Sequence, residues 1–290
     1  MKILLTGAGG FVGQRFVEVN KETYGIEILS LRNNEWENRS FSGFDAIVHL
    51  AGKAHEMKKI DDRIYFEINA ELTQKLYLKA IADGVKQFIY ISSTKVFGDH
   101  PEGKLNEMSP ASPDDAYGKS KLAAETFLLS RNDGCAIAII RPPLVYGPRV
   151  KGNMINLLKL CAGKKTLPFK GIANRRSMVY VDNLIALINT IVQKKATGIY
   201  IGGDAEPLST EQLVTLIRKA MGRKPGLFRL PGMAKAIIKK LKPALYTRLF
   251  GSYEVDPSNG FKQLGFVPPY SSEQGINETV GWFMKENTTK

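Results

Sequence analysis

The tightest constraint on the fold lies at the N-terminus. Lys2–Thr6 is an apolar run of strand length, and Gly7-Ala8-Gly9-Gly10-Phe11-Val12-Gly13 follows at once. A helical pattern through Arg15, Phe16 and Val17 comes next. Strand, glycine turn and helix in that order let backbone N–H groups and a helix N-terminus hold a pyrophosphate. Gly7 permits the tight turn, Gly10 lets phosphate oxygens approach, and Gly13 allows close packing of helix on strand. The spacing is Gly-x-x-Gly-x-x-Gly, without the Gly-Lys-Ser/Thr of a nucleoside-triphosphatase loop. The bland reading is an ordinary strand-to-helix turn; the context favours a dinucleotide site.

The alternation continues. Residues 27–30 read as a second strand, and 45–52 as a third that runs into the small turn Leu50-Ala51-Gly52. A helix is expected over 62–83, with Ile64, Ile68, Leu72 and Leu76 as its apolar stripe and Asn69 and Thr73 as polar exceptions. Residues 86–91 form a fourth strand ending in Ser92-Ser93-Thr94-Lys95-Val96-Phe97-Gly98. After a loop with Pro101, Pro110 and Pro113 a helix opens at Ala116, and 135–140 is the next strand. Repeated strand–helix units predict an α/β fold with a doubly wound parallel sheet, whose ligands gather at the carboxyl edge. Beyond Arg149 the pattern loosens. Helices are expected over 155–161, 182–192 (capped by Asp182) and 210–221, the last opened by a Ser209/Gln212 capping box, with a strand at 178–181. The predicted organisation is a nucleotide-binding domain over 1–150, to which 178–204 returns, and a smaller C-terminal region made of 151–177 and 205–290.

Chemistry concentrates on the helix opening at Ala116. Tyr117 and Lys121 are four residues apart and project from one helical face. A free tyrosine hydroxyl, with a pKa of about 10, is a poor acid or base at neutral pH. A neighbouring ammonium is expected to draw it down into the working range. The pair therefore suits proton transfer when hydride moves at a carbinol carbon; on spacing alone the commoner case is a partly buried Tyr beside a solvated Lys. Arg32 follows the second strand where an NAD site carries an acidic residue, which favours NADP(H) over NAD(H). His49, inside an apolar run, reads as a satisfied core residue.

Composition narrows the classes. A chain of 290 residues, 43% of them hydrophobic, can bury a real core. It has no apolar run long enough to cross a bilayer and no secretory signal at Met1–Gly7. Cys135 and Cys161 lack redox or zinc spacing, and His49, His55 and His100 offer no ligand cluster, so a cytoplasmic protein without metal is expected. The net charge of +13 favours anionic partners. Between Gln212 and Tyr253 there is no acidic residue, and Met233, Ile237, Ile238 and Leu241 make an apolar face opposite Lys235, Lys239, Lys240 and Lys242. Residues 218–248 are thus either a solvated helix over a core or a surface for peripheral contact with an anionic membrane. Nucleic acid is not expected, since no aromatics interleave the charges.

Six segments in one order, 6–13, 45–52, 92–98, 117–121, 141–148 and 176–183, resemble the extended short-chain dehydrogenases/reductases of the sugar-nucleotide epimerase/dehydratase family. The resemblance covers most of the chain and is weakest over 205–255. It implies a Rossmann-type domain and a C-terminal substrate-binding region, with Ser93, Tyr117 and Lys121 as catalytic residues. Cofactor would be held by Gly7, Gly10, Phe11, Val12, Gly13, Arg32, Leu50, Ala51, Gly52, Asn69, Tyr117, Lys121 and Pro143. A nucleotide-linked sugar would meet Ser93, Thr94, Lys95, Asn153 and Arg176, the last gripping its diphosphate with a guanidinium fork. Relatives of this kind often form homodimers through the helices around the Tyr.

Departures from the family pattern bear on the chemistry. Dehydratases carry Asp-Glu where this chain has Thr94-Lys95, so dehydration is not expected. Typical C4 epimerases have Asn where Leu144 stands. Together with Arg32, this makes reduction at C4 of a UDP-4-keto-6-deoxy-N-acetylhexosamine, for surface polysaccharide, the leading expectation. A UDP-sugar 4-epimerase is the alternative. A non-catalytic cofactor-binding regulator is a third reading, which the retained Tyr117 and Lys121 argue against.

Overall fold

A computed structural model of the chain describes residues 1–54, 61–99 and 103–288. His55, His100, Pro101 and most of the basic loop 53–59 lie outside the described residues. The first elements are β1 (Lys2–Thr6), α1 (Phe11–Asn20), β2 (Gly25–Leu29) and β3 (Ala46–His49). They are followed by α2 (Asp62–Phe66), a π-helical turn at Glu67–Glu71, and α3 (Leu72–Ala82). Then come β4 (Gln87–Ile91), a 3-10 turn at Thr94–Phe97, the short β5 (Lys104–Leu105), α4 (Ala116–Leu129) and β6 (Ala136–Arg141).

The chain continues through β7 (Leu144–Tyr146), α5 (Asn153–Ala162), β8 (Met178–Tyr180), α6 (Val181–Lys194) and β9 (Gly198–Ile201). It ends with α7 (Thr210–Ala220), α8 (Gly232–Leu241), α9 (Pro243–Phe250), β10 (Glu254–Val255), α10 (Ser258–Leu264) and α11 (Ser272–Thr288).

Two compact units result. The first comprises 1–143, 184–202 and 256–267, the second 144–183, 203–255 and 268–290. In the first, six strands form a sheet in the order β2-β1-β3-β4-β6-β9, every described pairing being parallel. Register places Thr6 beside His49 and His49 beside Tyr90, so β1, β3 and β4 end level with one another. One face of the sheet packs Leu4, Ile47, Phe88, Tyr90 and Ile139 against Leu76, Tyr77, Ala124 and Leu128 of α3 and α4.

In the second unit β7 and β8 pair in parallel. Residues 178–183 therefore stay with 144–177, and the segment rejoining the first unit begins at Leu184 rather than at 178. The Ser209/Gln212 capping box forms as expected. Helix α6 begins at Val181, so Asp182 lies in its first turn instead of capping it.

The helix expected over 62–83 forms, with the π-helical turn inside it, but its buried stripe differs from the expected one. Its buried face carries Tyr65, Asn69, Ala70, Thr73, Leu76, Tyr77 and Ala80, while Ile64 is exposed. Asn69 and Thr73, the polar exceptions on this helix, are buried. They are interior residues whose partners lie far away in sequence.

Candidate active site

The first unit gathers most of the candidate residues around the level ends of β1, β3 and β4. Gly7 adopts φ +74°, and a Cβ there would stand 2.5 Å from the Ala51 nitrogen. A Cβ on Gly13 would stand 2.2 Å from the Gly7 carbonyl oxygen. Both positions are closed to side chains by backbone on the protein side. Gly10 differs: a Cβ would meet only the Gly7 carbonyl oxygen, at 3.2 Å. No side chain caps α1 at Gly10, so the N–H groups of its first turn, including Phe11, Val12 and Gly13, remain available. An open, uncapped helix end behind a glycine is a cradle that fits the pyrophosphate of a dinucleotide.

Polar residues behind the cradle form one connected chain. The Ala51 N–H donates to Thr6 Oγ1 at 3.2 Å. Thr6 Oγ1 lies 2.7 Å from His49 Nδ1, and His49 Nε2 lies 2.9 Å from Thr73 Oγ1. Thr73 donates to the Asn69 carbonyl at 2.8 Å, so it accepts from Nε2–H and fixes the neutral tautomer with its proton on Nε2. Burial, aided by the charge of Lys121, pulls His49 down to about 3. His49 is thus a satisfied core residue, as the sequence indicates. Asn69 sits in the π-helical turn and spends its amide on Lys53 N (2.8 Å), Lys53 O (3.1 Å) and Ser120 Oγ (3.0 Å). Ser120 in turn donates to the Tyr117 carbonyl at 2.8 Å.

Asp115 caps α4 by accepting from the Gly118 N–H at 2.7 Å. One turn past Tyr117, the buried Lys121 Nζ donates to the Ile91 carbonyl at the end of β4, 2.9 Å away. It also lies 4.7 Å from the centre of the Tyr90 ring, and a Cβ on Gly52 would come within 3.2 Å of it. Burial pulls Lys121 down to about 8, and the Glu125 carboxylate opposes that fall.

Tyr117 is half-buried, edge-on to Tyr65 at 6.0 Å, and its hydroxyl is hydrogen-bonded by Ser93. Its pKa is raised, chiefly by burial. The Ser93 hydrogen bond and the charge of Lys95 offset part of the rise, while Asp115 and Tyr65 add to it. The expectation that Lys121 draws the phenol down is therefore corrected: Lys121 is turned to Ile91, and the lowering influences come from Ser93 and Lys95.

The remaining candidates are placed less centrally. The Thr94 N–H donates to the Pro142 carbonyl at 3.0 Å, beside the buried Pro143. Lys95 is ion-paired with Asp99 and, at 2.8 Å, with Asp115. Burial would lower Lys95, but its hydrogen bonds to these carboxylates outweigh that and hold the ammonium up. Arg32 is exposed past the end of β2. Asn153 and Arg176 belong to the second unit, Asn153 exposed as the first residue of α5. Arg176 Nη1 donates to the carbonyls of Thr247 (3.4 Å) and Gly251 (3.2 Å). The Asp115 cap went unread in the sequence, although Asp directly before Ala-Tyr at a helix start is a legible N-cap signal.

The fold is that of an extended short-chain dehydrogenase/reductase. Residues 3–202 match the NAD dependent epimerase/dehydratase family, and the chain belongs to it. It is 32% identical over 321 residues to a UDP-glucose 4-epimerase of Vibrio cholerae, an alignment covering 98% of this chain and 96% of that protein. It is 29% identical to the N-acetyl-alpha-D-glucosaminyl-diphospho-ditrans,octacis-undecaprenol 4-epimerase of Escherichia coli O157:H7, over 96% of this chain and 94% of that one. Its fold matches that of a UDP-glucuronic acid 4-epimerase from Bacillus cereus in complex with NAD, with a TM-score of 0.76 at 19% identity and 99% of each chain covered. The chain is thus an enzyme of the sugar-nucleotide epimerase/dehydratase type.

Proposed function

We propose that this chain is a 4-epimerase that inverts C4 of a hexose carried on a diphosphate. The observation that carries this reading is the Ser93–Tyr117 hydrogen bond beside Thr94 and Lys95. It supplies a hydroxyl pair for a sugar O4 and leaves no carboxylate at the two positions where dehydratases have them. Two relatives that align over nearly the whole chain are themselves named 4-epimerases, which supports the same choice.

A bound nicotinamide supplies reversible hydride acceptance in such a site. The cradle at Gly10 and the first turn of α1 would hold its pyrophosphate, and Lys121 would hold its ribose. Ser93 orients the sugar O4–H, and Tyr117 takes the proton from O4 and later returns it. Arg176 offers the guanidinium for the substrate diphosphate. Arg32 favours NADP(H) over NAD(H), because residues 28–34 contain no carboxylate.

The test is to incubate the purified chain with UDP-N-acetylglucosamine, UDP-glucose and a UDP-6-deoxy-4-keto-N-acetylhexosamine, each with and without added NADPH. An epimerase interconverts C4 epimers with no net consumption of cofactor. Loss of the keto sugar matched to NADPH oxidation, with no epimer formed, overturns the assignment in favour of a 4-reductase, the reading that Arg32 and Leu144 favour.

A further inference from the structure

Helix α8 has no buried residue. Met233, Ile237 and Leu241 recur every four residues along it and form one stripe, with exposures of 79%, 52% and 71%. Phe228 before the helix and Leu245 on α9 are exposed as well. A contiguous apolar stripe in water marks an interaction surface, whereas scattered exposed residues would not.

The other flank of α8 is occupied. Tyr246 and Phe250 of α9 stack at 4.9 Å, and Lys235 and Lys239 lie 5.5 and 5.8 Å from the centres of the Phe250 and Tyr246 rings, respectively. The hairpin therefore satisfies itself on one side and leaves the stripe outward. Lys239, Lys240 and Lys242 are exposed beside it.

Charge decides what covers the stripe. Between Gln212 and Tyr253 stand ten Lys and Arg residues and no Asp or Glu. A second copy of the chain would bring the same positive charge to the contact, and like charges juxtaposed oppose docking. An anionic bilayer offers apolar depth for the stripe and negative headgroups for the lysines. A ten-residue helix is about 15 Å long, half the thickness of a hydrocarbon core, so α8 lies along the surface. Among the described residues no helix is long and apolar enough to cross a membrane.

We infer that the α8–α9 hairpin is an interfacial element that docks this chain on a membrane containing anionic phospholipid. Arg176 is hydrogen-bonded to the C-terminal end of α9. On the reading proposed above, the residue that grips the substrate diphosphate is then mounted on the element that meets lipid headgroups. The docking itself does not depend on that reading.

The experiment is flotation of the full chain with vesicles of phosphatidylglycerol mixed into phosphatidylcholine, and with phosphatidylcholine alone. Binding is expected to the anionic vesicles only, weakening as salt rises. The Met233→Ser/Ile237→Ser/Leu241→Ser variant should bind at least about tenfold less. Each of Lys239→Gln, Lys240→Gln and Lys242→Gln should cost about fivefold. Thermal melting should shift little, and turnover of a water-soluble UDP-sugar should stay unchanged, in the triple variant, because its side chains are largely in water. Absence of flotation with anionic vesicles, or flotation indifferent to the triple substitution, overturns the inference whatever the activity assay shows. A lipid-free dimer that the triple variant splits, with no flotation, assigns the stripe to a second copy and also overturns it.

Discussion

Lys95 bridges to Asp115 across 2.8 Å, tying the turn after β4 to the residue that caps the Tyr117 helix. The two segments are also in backbone contact, since a Cβ on Gly118 would stand 2.6 Å from the Lys95 carbonyl oxygen. Lys95 is therefore a positioning residue that also lends positive charge to the Tyr117 hydroxyl.

Lys95→Met should lower kcat at neutral pH by roughly tenfold, with a smaller effect on KM. Removing a charge that lowers the Tyr117 pKa raises it further, so the rising limb of the rate–pH profile should move to higher pH. Lys95→Arg, which keeps the charge, should restore most of the loss. A profile that drops without shifting would mean that Lys95 acts through packing alone.

His49 makes stability depend on pH. Its pKa is near 6.5 when unfolded and about 3 when folded. Between those values the unfolded chain binds a proton that the folded chain refuses. Stability should be full above pH 6.5 and be lost progressively as pH falls toward 3. Urea unfolding at a series of pH values should show the midpoint falling across that window. His49→Gln, which keeps hydrogen-bonding groups but cannot titrate, should flatten the fall while costing about 1–3 kcal/mol at pH 7.

How much of this was legible in the sequence follows from range. The glycine turn, the α4 pair of Tyr117 and Lys121, and the Ser209/Gln212 capping box are local patterns. Each can be read because its partners lie within a few residues. The burial of Asn69 and Thr73 could not be read locally, because polarity taken alone does not say where a partner lies. The partners that permit their burial, Lys53, Ser120 and His49, lie 16, 51 and 24 residues away. The direction of the Tyr117 shift was illegible for the same reason. A four-residue spacing places Lys121 on the same helical face, but only the fold shows its amine donating to Ile91.

Arg32 sets cofactor choice on this reading. It stands exposed after β2, and residues 28–34 hold no carboxylate to accept ribose hydroxyls. Arg32→Ala should weaken NADPH about tenfold or more and leave NADH within twofold, since only the former carries the 2′-phosphate that the guanidinium pairs. Fluorescence titration of both nucleotides checks this directly. Equal losses for the two, or a preference for NADH in the unaltered chain, would remove Arg32 from the site.

Arg141 and Glu125 form a buried fork, with Arg141 Nε 3.1 Å from Oε1 and Nη2 2.6 Å from Oε2 of Glu125. Arg141→Met strands a carboxylate in the interior and should destabilise the fold by about 3–5 kcal/mol. Removing both charges, as Glu125→Leu with Arg141→Met, should recover most of that loss, because apolar groups of similar size can fill the place of a buried pair. The double variant should nevertheless fail at a different step. Glu125 is the influence that holds Lys121 up against burial, which already brings it to about 8. Without Glu125 the Lys121 pKa falls further, so the amine discharges at a lower pH. Nucleotide affinity, which in the unaltered chain should decline as pH rises past about 8, should then already be declining near neutrality. Unfolding curves and nucleotide titrations across pH on the same double variant separate the two effects: stability recovered, affinity shifted toward acid.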